Sequence, residues 1–259
     1  MRDIHSSAVI EKGAELADGV RVGAYSVVGP AVRIGEGTEI MSHVVLAGHT
    51  TIGSKCRVFP FACIGTETQD LKYTGAVSFV EIGDRSVLRE YVTVNSPTNE
   101  GEVTRVGRGC FLMAYSHVAH ACDVGDEVIM ANAGTLAGHV KVEKQAIIGG
   151  LCGVHQFVHV GRLSMIGGCT KLSQDAPPFM IVDGRPAAVR GINSIGLKRR
   201  GMNAEVRKSL KEAYRLLYRS GLSTGAAIEK IRSGLDANAE VEHLISFIEG
   251  SERGIIKNA

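Results

Sequence analysis

The chain contains no tryptophan, and aromatic side chains make up only 5% of its 259 residues. Its formal net charge is +2, which gives no electrostatic case for a dedicated nucleic-acid binder. No run approaches the roughly 18 apolar residues of a membrane-spanning helix, and no window resembles a signal peptide. A soluble, cytoplasmic protein with no membrane insertion is expected. Six cysteines occur without a paired C-x-x-C spacing, so zinc is not indicated. The missing secretory signal argues against disulfides.

What the chain does have is a repeat. Twenty-nine positions spaced six apart run from Ile4 to Leu172, and twenty-six hold Ile, Leu, Val or Met; the exceptions are Asp70, Ala76 and Glu100. A helix repeats its buried face about every 3.6 residues and a strand every 2, so neither produces this pattern. A period of six marks a parallel β-helix, with one short strand per hexapeptide and three faces per coil. Two residues before each aliphatic position the chain is small or β-branched, as at Val20, Ser26, Cys56, Cys110, Cys122 and Cys152. One large and one small inward residue per face suit a narrow prism, which has little room for rings. The four cysteines are thereby read as compact core fillers. Glycine often follows the aliphatic residue, as at Gly23, Gly35, Gly107 and Gly161, and is read as a corner residue taking φ > 0.

The repeat breaks at 65–81 and at 95–105, returning in phase at Ile82 and Val106. Each excursion is read as replacing whole hexapeptides. Loops on a rigid scaffold are where binding residues tend to sit. Pro177-Pro178 end the repeat, and 179–192 reads as an irregular connection. Amphipathic helices are predicted at 203–219, 223–236 and 239–249, with Asn203 and then Ser223 or Thr224 as N-caps. The expected organisation is a β-helix domain over 1–187 and a helical domain over 188–259. The helices need a surface to cover, either each other or the solenoid's end, and they shield an open sheet edge.

The coil serves as a ruler. Residues 18 apart should stack, so His120, Gly138 and Gln156 fall in one column with neighbours about 4.8 Å apart. His139 and His155 lie one step from that column, and His117 lies three residues before His120. A histidine titrating near neutrality suits a general base acting on a hydroxyl, and a second one can orient it. A backbone N–H near Gly138 suits an oxyanion. Together they fit acyl transfer from a thioester to an alcohol. Other readings stand beside this one. Histidines on solenoid faces are often plain surface residues, the reading preferred for His43, His49 and His159. Imidazoles on neighbouring coils also bind zinc, which would give a metal-dependent β-helix enzyme of the carbonic anhydrase type. A non-catalytic solenoid that binds a nucleotide sugar or a carrier protein is a third. The basic stretch LKRRG (197–201) offers Arg199 and Arg200 as forked donors for a diphosphate.

The segments QDLKY (69–73), HVAH (117–120), LAGHV (136–140), GVHQF (153–157) and GLKRRG (196–201) occur in an order and at separations that resemble the UDP-N-acetylglucosamine O-acyltransferase family. The resemblance covers essentially the whole chain. It implies a mainly β fold, a left-handed parallel β-helix with a C-terminal α-helical domain, assembled as a homotrimer with active sites between subunits. It implies transfer of an (R)-3-hydroxyacyl chain from acyl carrier protein to the glucosamine 3-hydroxyl of UDP-N-acetylglucosamine, the first step of lipid A biosynthesis. It implies no metal and no cofactor beyond the carrier-borne thioester. Carried over by position, His120 is the expected general base and the Gly138 backbone the oxyanion donor. Asp70 and Lys72 would hold the sugar and the acyl hydroxyl. His117, His139 and Gln156 would position substrate, and Asn193, Arg199 and Arg200 would contact the nucleotide and diphosphate. Gly168 matches the end of the acyl pocket, where glycine leaves room for a longer chain. Three places depart from the family pattern. Ala121 stands where Asp or Asn is common, Ile195 where many members carry Glu, and NSPT (95–98) where Arg-Gly-Thr is frequent. These departures leave open an acceptor with a 3-amino group.

Overall fold

A computed structural model describes residues 3–235 and 238–258. Two-residue strands recur along the repeat, beginning with Asp3–Ile4, Val9–Ile10 and Glu15–Leu16. They stack in parallel into three sheets, which form the three faces of a prism. The face that starts with Asp3–Ile4 is called the first, that of Val9–Ile10 the second and that of Glu15–Leu16 the third. Pairing joins residues 18 apart, as Asp3 with Arg21 and Val9 with Val27.

The two inward layers predicted from the repeat fill the prism. Ile40, Leu46, Ile64, Leu112 and Leu136 are fully buried, and so are Val20, Ser26, Thr38 and Cys122. A buried hydroxyl is costly unless it is hydrogen-bonded. Ser26 donates to the Met41 carbonyl and Thr38 to the Gly53 carbonyl, both at 2.7 Å and both 15 residues along the chain. The Cys110 thiol does the same toward Gly125, and burial pushes it up to about 11. Inward polar groups therefore tie successive coils together.

The glycine reading needs correction. The left-handed residue of each corner precedes the small inward position, and it is usually not glycine: φ is 52° at Ala121, 58° at His139 and 63° at Phe157. Of the glycines that follow an aliphatic position Gly65 does take φ 77°, but Gly23, Gly35, Gly107 and Gly161 do not take positive φ. They are there because coils approach closely. A Cβ on Gly107 would lie 2.6 Å from the backbone of Gly125 and of Asp126 on the next coil.

The excursions insert hexapeptides rather than replace them. The pairing offset rises from 18 residues to 30 at Cys63–Thr93, and is 24 at Thr93–His117. Phase survives because the insertions amount to two repeats and one. Both loops leave at the corner between the second and third faces, following strands Cys63–Thr66 and Thr93–Asn95 and ending at Phe79–Ile82 and Val103–Val106. Asp70, Ala76 and Glu100, the three breaks in the aliphatic repeat, all lie in them, and Glu100 accepts the Val77 N–H at 2.7 Å to join one loop to the other.

At the far end, 179–192 is ordered rather than irregular. Strands Met180–Asp183 and Ala188–Ile192 form an antiparallel hairpin that extends the first face. The expected boundary at 187/188 falls inside this hairpin. Four helices follow: α1 (Ser194–Arg199), α2 (Ala204–Tyr218), α3 (Thr224–Gly234) and α4 (Ala239–Glu249). Asn203 and Ser223 cap α2 and α3 as expected. The short α1 has too few residues to show a helical period in sequence. Glu143 on the solenoid bridges to His243 of α4 at 2.8 Å and to His159 at 3.2 Å. Among the described residues no helix is long and apolar enough to cross a membrane.

The outer surfaces of the faces differ sharply. On the third face one outward column reads Glu81, Arg105, Asp123, Lys141, His159. The matching column on the first face reads Val87, Phe111, Ile129, Ile147, Met165.

Candidate active site

The corner between the second and third faces brings the predicted column together. His139 donates its backbone N–H to the His120 carbonyl at 2.9 Å, and Phe157 donates to Gly138 at 3.2 Å, so His120, Gly138 and Gln156 stack on successive coils. Gly138 lies against the His120 ring: a Cβ there would come 1.9 Å from Nε2. The His139 ring meets His120 edge-on at 5.2 Å and stacks on Phe157 at 4.8 Å.

The first excursion closes over this corner. Thr68 is buried, with Oγ1 3.2 Å from Nδ1 of His120, and it accepts the Asp70 N–H at 3.2 Å. Asp70 is held on both oxygens: Oδ1 accepts the Lys72 N–H at 3.0 Å, and Oδ2 accepts the Thr98 hydroxyl at 3.0 Å. Oδ2 lies 4.0 Å from Nε2 of His120. The His120 side chain is 12% exposed, and its Nε2 is buried with no hydrogen-bond partner. Such an orphan is rare in a folded chain and marks a functional candidate.

Electrostatics follow from this packing. Burial holds His120 below the ordinary imidazole range, and a charge on His139 adds to that, while Asp70 and Glu102 oppose it. His117 is also lowered, first by burial and then by His120; its Nδ1 lies 2.7 Å from the Thr93 hydroxyl. The Lys72 N–H, ahead of the Thr98 hydroxyl and the charges of His120 and Lys72, keeps Asp70 below the usual carboxylate range. A neutral imidazole next to a fixed carboxylate, with a bare nitrogen aimed at a closed corner, can take a proton from a bound hydroxyl.

A protein from Thermodesulfovibrio yellowstonii named acyl-(acyl-carrier-protein)–UDP-N-acetylglucosamine O-acyltransferase is 45% identical over 258 residues, covering 99% of this chain and 100% of that one. A like-named protein from Gloeothece citriformis is 51% identical over 208 residues, 80% of this chain and 75% of its own. The crystal structure of a Francisella novicida UDP-N-acetylglucosamine acyltransferase superposes with a TM-score of 0.95 at 38% identity, over 98% of this chain and 94% of that one. The family model described as Udp N-acetylglucosamine O-acyltransferase, domain 2, matches residues 175–256.

The chain belongs to the acyl-(acyl-carrier-protein)–UDP-N-acetylglucosamine O-acyltransferase family.

It is therefore an acyltransferase, and its prism is the left-handed parallel β-helix of that family with a C-terminal helical domain. The remaining expected residues of this acyltransferase are dispersed. Gln156 is half-buried one coil beyond Gly138, and its neighbour His155 is exposed, with Nδ1 3.1 Å from the Gln156 carbonyl. Lys72 is exposed at the loop tip. Asp123, the carboxylate nearest His120 in sequence on its C-terminal side and not one of the expected site residues, lies out on the third face between Arg105 and Lys141, away from His120. Asn193 is 5% exposed; its oxygen accepts the Gly196 N–H and its amide donates to the Leu163 carbonyl, so the side chain is committed to seating α1. Arg200 pairs with Glu127 at the corner between the third and first faces, and Arg199 beside it is exposed. That corner is one prism edge, about 20 Å of extended chain, from His120. Gly168 lies at the third corner, between the first and second faces, with the Gly150 carbonyl beneath it. Between that corner and the His120 corner the second face carries a groove of about 710 Å³ lined by Ala133, Ala137, Leu151, Val154 and Leu172 among others.

Thr68, Thr98 and Thr93 were not found by the ruler. Thr68 and Thr98 sit in loops with no period, and Thr93 is offset from His117 by 24 residues rather than 18. His43 and His49 are exposed, whereas His159 is part-buried between Glu143 and Phe247 of α4 and is not a plain surface residue. His43 stacks between Tyr25 and Phe61, His49 lies on Phe79, and His159 bonds Glu143.

Proposed function

We propose that this protein transfers an (R)-3-hydroxyacyl chain from acyl carrier protein to the glucosamine 3-hydroxyl of UDP-N-acetylglucosamine, the opening step of lipid A biosynthesis. The observation that carries the mechanism is the unpartnered Nε2 of His120, buried against Gly138 and held neutral by its surroundings. His120 takes the proton of the sugar hydroxyl as its oxygen attacks the thioester carbonyl. The tetrahedral oxyanion is met by the Gly138 backbone N–H. Its collapse forms the ester and expels the carrier thiolate, which recovers the proton from His120. The groove of the second face suits an acyl chain, since Ala133, Ala137, Leu151, Val154, Leu172 and Ala187 line it, with Lys171, His155 and Arg185 as polar members of the wall.

The working unit is a homotrimer. The outward column from Val87 to Met165 is an apolar stripe on a flat sheet, which in a lone chain would face water. The Arg199 and Arg200 corner is too far from His120 of the same chain to share one sugar nucleotide, and a neighbouring copy brings the two corners together. Sedimentation equilibrium should give three chains, and Phe111→Asp with Ile129→Asp should give one. Monomeric wild-type protein would overturn the assembly.

His120→Ala tests the chemistry. It should lose at least about 100-fold in kcat with carrier-borne hydroxyacyl donors, while circular dichroism and Tm stay near wild type. Near-normal turnover would end the general-base reading. Running hydroxyl and 3-amino acceptors side by side decides which acceptor the site prefers.

A further inference from the structure

We infer that Thr68 is the positioning residue of the catalytic histidine: its hydroxyl holds Nδ1 of His120, fixing the Nδ1–H tautomer so that the free lone pair of Nε2 faces substrate. This rests on the general-base reading above and adds a residue to it.

Three observations lead there. Thr68 is 6% exposed, and its Oγ1 is 3.2 Å from Nδ1, so the contact is shielded from water. Its own position is fixed, because Oγ1 accepts the Asp70 N–H and because Asp70 is clamped by Thr98 and Lys72. The residue after His120 is Ala121, which has no side-chain donor or acceptor and whose N–H goes to Thr104. The nearest carboxylate oxygen, on Asp70, is 4.0 Å from Nε2 and beyond hydrogen-bond reach. Thr68 is thus the hydrogen-bond partner the structure gives the ring.

The tautomer follows from what Nε2 lacks. For backbone groups a buried N–H without an acceptor is rarer than a buried C=O short of a donor, and the same ordering of costs favours leaving the bare ring nitrogen as an acceptor. Nε2 has no partner, so the proton belongs on Nδ1, where Oγ1 can accept it through one of its two lone pairs. When Nε2 gains the substrate proton, the imidazolium still needs an acceptor at Nδ1, and Thr68 supplies it. A neutral hydroxyl does this without the strong upward pull on basicity that a carboxylate partner exerts. The base stays neutral at physiological pH, consistent with its lowered proton affinity.

Thr68→Val keeps the shape and removes the hydroxyl; Thr68→Ser restores the hydroxyl without the methyl. In the valine variant kcat should fall about 10- to 100-fold with KM for the sugar nucleotide within about threefold of wild type, and serine should recover most of the loss. Nitrogen NMR of labelled histidine reads the tautomer directly. Wild type should show His120 protonated at Nδ1, and Thr68→Val should move population to Nε2–H. A wild type already protonated at Nε2, a valine variant with unchanged tautomer, or a shifted tautomer with unchanged kcat would each overturn the inference. Failure of the general-base reading shows separately, as activity retained in His120→Ala, and leaves the NMR result to decide the Thr68 contact by itself.

Discussion

Nε2 of His120 lies 1.9 Å from where a Cβ on Gly138 would be. The two residues are 18 apart and one coil apart, so the ring of one occupies the side-chain space of the other. Gly138 does not need its glycine for a left-handed backbone; it needs the absence of a methyl. Gly138→Ala must therefore displace the His120 ring, which is pinned between Thr68 and His139. Its kcat/KM should fall at least about 100-fold, since a 1 Å misplacement of a reacting group can cost that much. The Tm should change by only a few degrees, because the clash is with a corner side chain and not with the core. A Gly138→Ala enzyme with near-normal kcat/KM would show that the ring has room elsewhere.

The pH profile tests the electrostatics of the same ring. His120 works as a neutral base and is held below the ordinary value of about 6.5, mainly by burial. Activity should be on a plateau at neutral pH and fall only as pH drops through a value below 6.5. Asp70 pulls in the opposite direction, so Asp70→Asn should move the acid limb to still lower pH. Stability has the same sign. Both His117 and His120 are depressed, so each favours the folded state fully above its ordinary range and loses that contribution as pH falls through the lowered value. A kcat/KM profile with its acid limb at or above 6.5 would contradict the burial of the base.

The prism was readable because its repeat is both physical and arithmetic. Ile40, Leu46 and Val20 are inward for the reason their spacing gives: a narrow prism holds one large and one small residue per face. The His120–Gly138–Gln156 column followed from the same spacing, in a stretch without insertions. Where the period stops, the ruler stops. Thr68 reaches His120 across 52 residues of chain through a loop whose path no repeat encodes. The hairpin at 180–192 was missed because its strands pair antiparallel and carry no hexapeptide phase. The glycine assignment failed for another reason. Composition marks where glycine is needed, but it does not distinguish a left-handed turn from the close approach of another backbone.

That distinction is measurable. A Cβ on Gly107 would meet backbone atoms of Gly125 and Asp126 at 2.6 Å, whereas one on Gly153 would meet nothing within 4 Å. Neither takes positive φ, so strain from φ does not enter. Gly107→Ala should lower stability by about 1–3 kcal/mol, as overpacking against fixed backbone does. Gly153→Ala should be neutral or stabilising by up to about 1 kcal/mol through the unfolded chain. Thermal melts of the two variants check this directly. Equal Tm values would mean that the coils can separate locally to admit a methyl group.

Gly168 offers the last test, of acyl length. It sits at the corner between the first and second faces, across the second face from His120, where a Cβ would touch only the Gly150 carbonyl at 3.4 Å. That is ordinary to slightly tight contact, so a side chain can be added without breaking the coil. Leu151, next to Gly150, lines the groove proposed for the acyl chain, so Gly168 lies beside a groove residue without being part of the lining itself. Each methylene kept in such a groove contributes about 0.8 kcal/mol, roughly fourfold in relative kcat/KM. Gly168→Met should therefore disfavour the chain length preferred by wild type and favour donors at least two carbons shorter. A Gly168→Met enzyme with wild-type chain preference across a panel of hydroxyacyl carriers would remove Gly168 from the acyl pocket while leaving the His120 corner untouched.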